Sequence, residues 1–156
     1  MNYATIKKTD VANGPGVRVS LFVSGCTHHC KGCFNSEAWD FHYGQAYTEE
    51  TEQEILQALA PDYIRGLSLL GGEPMEPENR GAVLSLVKKV REQYPQKTIW
   101  CYTGYTYEEI QANPRLKAVL DYIDVLVDGR FEQALFSPYL EFRGSSNQRI
   151  LRIGNK

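Results

Sequence analysis

The sequence has no long apolar run: nothing in its 156 residues approaches the roughly 20 consecutive apolar side chains of a membrane-spanning helix. Its amino terminus, Met1-Asn2-Tyr3-Ala4-Thr5-Ile6-Lys7-Lys8, sets lysines with no apolar stretch behind them, so the pattern of a secretory signal is missing. The expected location is the cytoplasm, with no membrane contact. An excess of basic charge is missing too: 17 Lys and Arg against 19 Asp and Glu give a net charge of −2, which excludes a general nucleic-acid-binding surface. Without internal repeats, low-complexity tracts or Gly/Ser linkers, residues 1–156 are expected to form a single domain, long enough to bury a core and too short for two. Neither Gly-x-x-x-x-Gly-Lys-Ser/Thr nor Gly-x-Gly-x-x-Gly after a strand occurs, which excludes P-loop nucleotidases and Rossmann dehydrogenases.

Cysteine is scarce, with four in the chain, yet Cys26, Cys30 and Cys33 crowd into one short segment while Cys101 lies far away. Such a cluster, in a chain that is not a secreted disulfide scaffold, points to metal binding or catalysis.

The periodicity alternates strand and helix. Val17–Val23 is apolar and β-branched after the turn Gly14-Pro15-Gly16, and reads as the first strand. Residues 48–60 place Ile55, Leu56 and Leu59 at helical spacing behind Glu49-Glu50, and Pro61 ends that helix. Residues 66–70 read as a strand, followed by a helix that Pro77 opens and whose Val83, Val87, Val90 and Tyr94 share a face. Thr98–Tyr102 reads as the third strand, before a capping box at Thr106–Glu109 and a cap with first-turn proline at Asn113-Pro114. Residues 122–127 are the fourth apolar run, and a short strand is expected at 149–153. This order predicts an α/β parallel sheet with right-handed crossovers, open or part of a (β/α) barrel, with ligands at the carboxyl ends of the strands.

Four peptides fall at those ends: Ser24-Gly25-Cys26 through Cys33, Gly71-Gly72-Glu73-Pro74, Thr103-Gly104-Tyr105 and Asp128-Gly129-Arg130. In the first, gaps of three and two residues let a compact loop aim three thiolates at one centre. A structural zinc wants four closed ligands, with His28 or His29 available as the fourth, whereas an iron–sulfur cluster on three cysteines leaves one iron open; the spacing favours the cluster. Cysteines that merely pack are the bland alternative, and in the cluster reading both histidines face solvent or the reaction partner. Gly25 and Gly32 let the backbone curl near the sulfurs and supply amides. Gly71 and Gly72 let a small ligand approach the backbone, and the Glu73 carboxylate can receive an ammonium group. Cys101, inside a strand, reads as a buried thiol. Phe34, Trp39, Phe41 and Tyr43 follow the loop either as a docking surface or as packing beneath it.

Cys-x3-Cys-x2-Cys after one strand and Gly-Gly-Glu-Pro after the next resemble the radical S-adenosylmethionine (SAM) superfamily. Within it, the short chain with Asn13-Gly14-Pro15-Gly16-Val17-Arg18, Trp100-Cys101-Tyr102-Thr103-Gly104-Tyr105, Val127-Asp128-Gly129-Arg130-Phe131 and Arg143-Gly144-Ser145-Ser146-Asn147-Gln148 is similar to the activating proteins of anaerobic (class III) ribonucleoside-triphosphate reductases. The resemblance implies a single-domain partial (β/α) barrel in which Cys26, Cys30 and Cys33 hold a 4Fe-4S cluster whose open iron binds the methionyl amino and carboxylate groups of SAM. It further implies that Gly71, Gly72 and Glu73 hold the methionyl ammonium, that Gly32, Cys33 and Phe34 line the cofactor, and that Thr103, Asp128 and Arg130 touch its ribose or carboxylate. For those last three, a strand-end cap and a surface ion pair are the competing expectation. The implied activity is reductive cleavage of SAM and formation of a glycyl radical on the reductase, with a flavodoxin-like electron donor. One departure is Gly32, where many superfamily members carry an aromatic residue. Activation of another glycyl-radical enzyme such as pyruvate formate-lyase, or a zinc-stabilised binding module without catalysis, are the rival expectations.

Overall fold

A computed structural model describes residues 1–34 and 36–153. Its strands are β1 (Asn2–Asp10), β2 (Val17–Val23), β3 (Gln45–Ala46), β4 (Ile64–Gly71), β5 (Thr98–Tyr102), β6 (Val125–Asp128) and β7 (Arg149–Arg152). They form one open sheet in the order β3-β1-β2-β4-β5-β6-β7. The central pairs β2·β4, β4·β5 and β5·β6 are parallel, and the pairs β1·β2 and β6·β7 that flank them are antiparallel. The expected α/β class holds, with a correction at the start: Val17–Val23 is the second strand. Asn2–Asp10 precedes it as a hairpin partner whose Lys7, Lys8 and Thr9 face solvent, so it carries no clean apolar alternation. The run expected over 122–127 begins as a strand only at Val125, because the Asp124 carboxylate turns to accept from the Ile99 amide and from Arg91.

Helices α1 (Glu49–Ala58), α2 (Pro77–Gln93), α3 (Tyr107–Gln111) and α4 (Pro114–Leu120) connect the parallel strands. Each amino terminus is locally determined. Thr48 and Thr51 cap α1 reciprocally, as Thr106 and Glu109 cap α3; Asn113 caps α4, and Pro77 and Pro114 sit in first turns where no amide is missed. Since β2, β4, β5 and β6 are neighbours in chain order, right-handed crossovers put their helices on one face of the sheet. There Val19, Leu21, Leu67, Leu69, Ile99, Cys101 and Leu126 meet Ile55, Leu86, Val87, Val90 and Val119 in a closed apolar core.

The alternate positions of the same strands, Arg18, Ser20, Ser68, Trp100 and Tyr102, face the helix-free side. Loop 10–16 covers them: Asp10 accepts from Ser20, and Ser68 donates to the Asn13 carbonyl. Arg18 is fully buried. Its guanidinium donates to the Ser68 and Thr98 hydroxyls and to the carbonyls of Pro15, Leu67 and Thr98, and it lies 5.8 Å from the Trp100 ring. Burial pulls it down to about 10. No helix among the described residues is long and apolar enough to cross a membrane.

Candidate active site

Parallel register decides which peptides meet. Val23 pairs with Gly71, so β2 and β4 end side by side and the residues after them are zipped together: Gly72 N donates to Val23 O, and Glu73 N to Gly25 O, both at 2.8 Å. The Asn79 side chain donates to the carbonyls of both Ser24 and Glu73. The two glycines exist for this contact. Gly71 adopts φ 113°, and a Cβ on Gly72 would lie 2.6 Å from the Gly25 carbonyl oxygen. The space that the sequence reserves for a ligand at Gly72 is thus partly filled by the backbone of the cysteine loop.

That loop curls over the sheet edge with all three thiols free and half-buried. Burial pushes the Cys26 thiol up to about 11, against the pull of the His28 and His29 amides directed at its sulfur. Cys30 is also raised by burial, opposed by the Phe131 amide. Thiols held protonated in this way are poor nucleophiles; a metal centre must displace their protons. Cys101, fully buried in the core, is raised further and lies away from the loop.

Cys26, Cys30 and Cys33 line one cavity of about 400 Å³ together with Phe34, Gly71, Gly72, Glu73 and Thr103. His28, considered from the sequence only as a possible zinc ligand, lines it as well, as do Tyr102, Phe131 and Arg143, to which the sequence assigned no site role. Gly32, Asp128 and Arg130 do not stand among the lining residues. Gly32 turns outward at φ 75° beside Gln133. The Asp128 carboxylate accepts from the Tyr107 amide and from Arg149, and Arg130 makes an exposed ion pair with Glu109 at 3.3 Å. For these two side chains the cap and the surface pair are what the structure contains.

Among the described residues no three of His, Cys, Asp and Glu are gathered as ligands of a single ion. Zinc, with Zn–S bonds of about 2.3 Å, needs such a gathering, whereas a cluster gives each cysteine its own iron. The three cysteines that line one cavity are the donor set that a three-cysteine cluster needs. The two histidines differ: His29 is exposed, as expected, whereas the His28 side chain is only 6% exposed. The His29 ring stacks on Trp39 at 4.3 Å, and the His28 ring is buried against Glu73.

The matching family model, the 4Fe-4S single cluster domain, covers residues 12–151. An activating protein of anaerobic ribonucleoside-triphosphate reductase from Vibrio cholerae is 51% identical over 98% of this chain and 99% of its own. Proteins of the same name from Haemophilus influenzae and Escherichia coli are 46% and 45% identical, over 98% and 96% of this chain and 99% and 97% of theirs. The chain belongs to the anaerobic ribonucleoside-triphosphate reductase-activating protein family. For a member of this family the carboxyl-terminal peptide has a visible job. Gln148 accepts from the Gly144 and Ser145 amides and donates to the Gly129 carbonyl, while Asn147 donates to the Arg130 carbonyl. Residues 143–148 thereby fix the 128–131 turn, which brings the Phe131 amide to Cys30.

Proposed function

We propose that the chain is a single-domain radical SAM activating enzyme that forms a glycyl radical on the anaerobic ribonucleoside-triphosphate reductase. The supporting observation is that three free thiols and the Gly-Gly-Glu peptide share one cavity, and the relatives' names supply the partner. A 4Fe-4S cluster bound at Cys26, Cys30 and Cys33 would supply one electron to the sulfonium of SAM, giving methionine and a 5′-deoxyadenosyl radical that takes hydrogen from a glycine α-carbon of the reductase. The chain's own residues hold and shield. The His28, His29 and Phe131 amides stabilise negative sulfur. Gly71, Gly72 and Glu73 form the methionyl side of the cavity, Cys33 and Phe34 its near wall, and Thr103 braces Glu73 through its hydroxyl. Gly32, Asp128 and Arg130 act from outside the lining, through the turns they build.

The helix-free face serves as the inner wall of a partial (β/α) barrel. Its mouth suits a protein substrate: Phe34, 66% exposed, meets the rings of Phe131 and Phe136 at 5.1 and 5.6 Å beside the cavity. A flavodoxin-like donor supplies the electron, and the cytoplasm is the compartment that keeps such thiols reduced.

The test is iron, sulfide and zinc content after anaerobic purification, with electron paramagnetic resonance of the reduced protein before and after SAM. About four irons with matching sulfide, and a signal that SAM alters, are expected. Zinc without sulfide, or a cluster indifferent to SAM, overturns the reading. Adding the reductase should then yield a glycyl radical signal.

A further inference from the structure

The side chain of His28 is 6% exposed although it lies between two cysteines on a surface loop. Its Nε2 is 2.7 Å from Glu73 Oε1, and its ring meets Tyr105 edge-on at 4.8 Å. The ring occupies the place of a side chain on Gly104, where a Cβ would come within 2.6 Å of it. Glu73 is itself 1% exposed and already engaged: Oε1 accepts from the Gly104 amide at 2.7 Å, and Oε2 from the Met75 amide at 2.9 Å and the Thr103 hydroxyl at 2.8 Å. A carboxylate only accepts, so the imidazole N–H is the fourth donor, and each oxygen then carries two. The preceding residue is held in the same manner, since the Thr27 amide donates to Glu76. Two acids three residues apart thus clamp consecutive residues of the cysteine loop.

We infer that His28 is a positioning residue that locks the cysteine loop onto the Gly-Gly-Glu peptide through Glu73, and that Glu73 serves as the loop's anchor rather than as an open acceptor for an ammonium group. The meaning of this lock for SAM rests on the proposed function; the lock itself does not. The four donors that reach Glu73 come from three pieces of the site: the cysteine loop, the turn after β4 and the turn after β5. Removing the imidazole frees the loop while leaving the sheet and the helix-side core untouched.

The test uses the full metal-free chain and follows alkylation of Cys26, Cys30 and Cys33 at one pH, with Cys101 as an internal monitor of global opening. His28→Leu should raise the rate at the three loop thiols about tenfold, the scale of losing one buried hydrogen bond to a charged group. Cys101 should stay unreactive. His28→Gln, which keeps a donor near the Nε2 position, should react within about twofold of the parent, a rescue that ring packing alone would not give. The double variant His28→Leu with Glu73→Gln should be no faster at the loop than the faster single one, because Glu73→Gln already disrupts the contact that His28→Leu removes. Loop thiols at the parent rate in His28→Leu, faster reaction of Cys101 as well, or no rescue by glutamine would each overturn the inference. A parent protein that binds no cluster, or a cluster that ignores SAM, would sink the proposed function and leave the alkylation result standing.

Discussion

On the helix side of the sheet, Val19, Leu21, Leu67, Leu69, Ile99 and Leu126 are sealed by apolar side chains; on the other side the same strands turn Arg18, Ser20, Ser68 and Tyr102 toward loops. The first face is held by non-directional burial, which tolerates any shape that fills the space. On the second, directional bonds hold Arg18, Ser20 and Ser68 beside a small apolar cluster of Trp100, Val125 and Val127, and the cavity opens at its carboxyl end. Adaptable packing carries stability here, and fixed hydrogen bonds carry the placement of chemistry.

The comparison breaks most visibly at the cysteines. Alanine at Cys26, Cys30 or Cys33 should abolish iron retention and SAM cleavage while the thermal midpoint of the metal-free chain barely moves. Cys101→Ala, on the helix face, should keep both activities and lose about 1 kcal/mol in denaturant titration through a small cavity. A Cys101→Ala protein without iron would erase the distinction. Leu86→Ala should cost about 3 kcal/mol by the same measurement, as a deep-core truncation does. Arg18→Met attacks the other face: the carbonyls of Leu67 and Thr98 lose their donor while the buried charge disappears, and a cost of about 2 kcal/mol is expected. Unchanged stability there would mean that the polar face is as adaptable as the apolar one. Alkylation of Cys26 in the metal-free chain should still be rising at pH 9 and level off only near the value of about 11 that burial imposes. Smallest of all, Arg130→Ala should change stability by less than about 0.5 kcal/mol, because its pair with Glu109 is nearly half exposed on both sides.

What the sequence made legible follows the same division. The parallel strands are apolar on at least one sealed face, and the helices begin at Thr48, Pro77, Thr106 and Asn113-Pro114 with local signals that need no distant partner. β1 escaped because an outer strand with exposed lysines owes its existence to pairing with β2, not to its own pattern. Three of the four strand-end peptides supply predicted site side chains to the cavity lining; Asp128 and Arg130 turn away because Arg149 and Glu109 hold them, contacts made by residues up to 21 positions away. His28 was visible as a possible metal ligand, but its partner Glu73 lies 45 positions along the chain, beyond any motif's reach.

The sheet's margins carry a consequence for how a large partner can approach. Its outermost strands are β3, two residues long, and β7, four residues long with Arg149 and Arg152 among them. Such short outer strands, the second of them cationic, offer a neighbouring chain little ladder to extend. β3 covers β1 only at Asn2 and Tyr3, and beyond them the strand carries exposed Lys7 and Lys8, charges that discourage another chain from pairing along this side of the sheet.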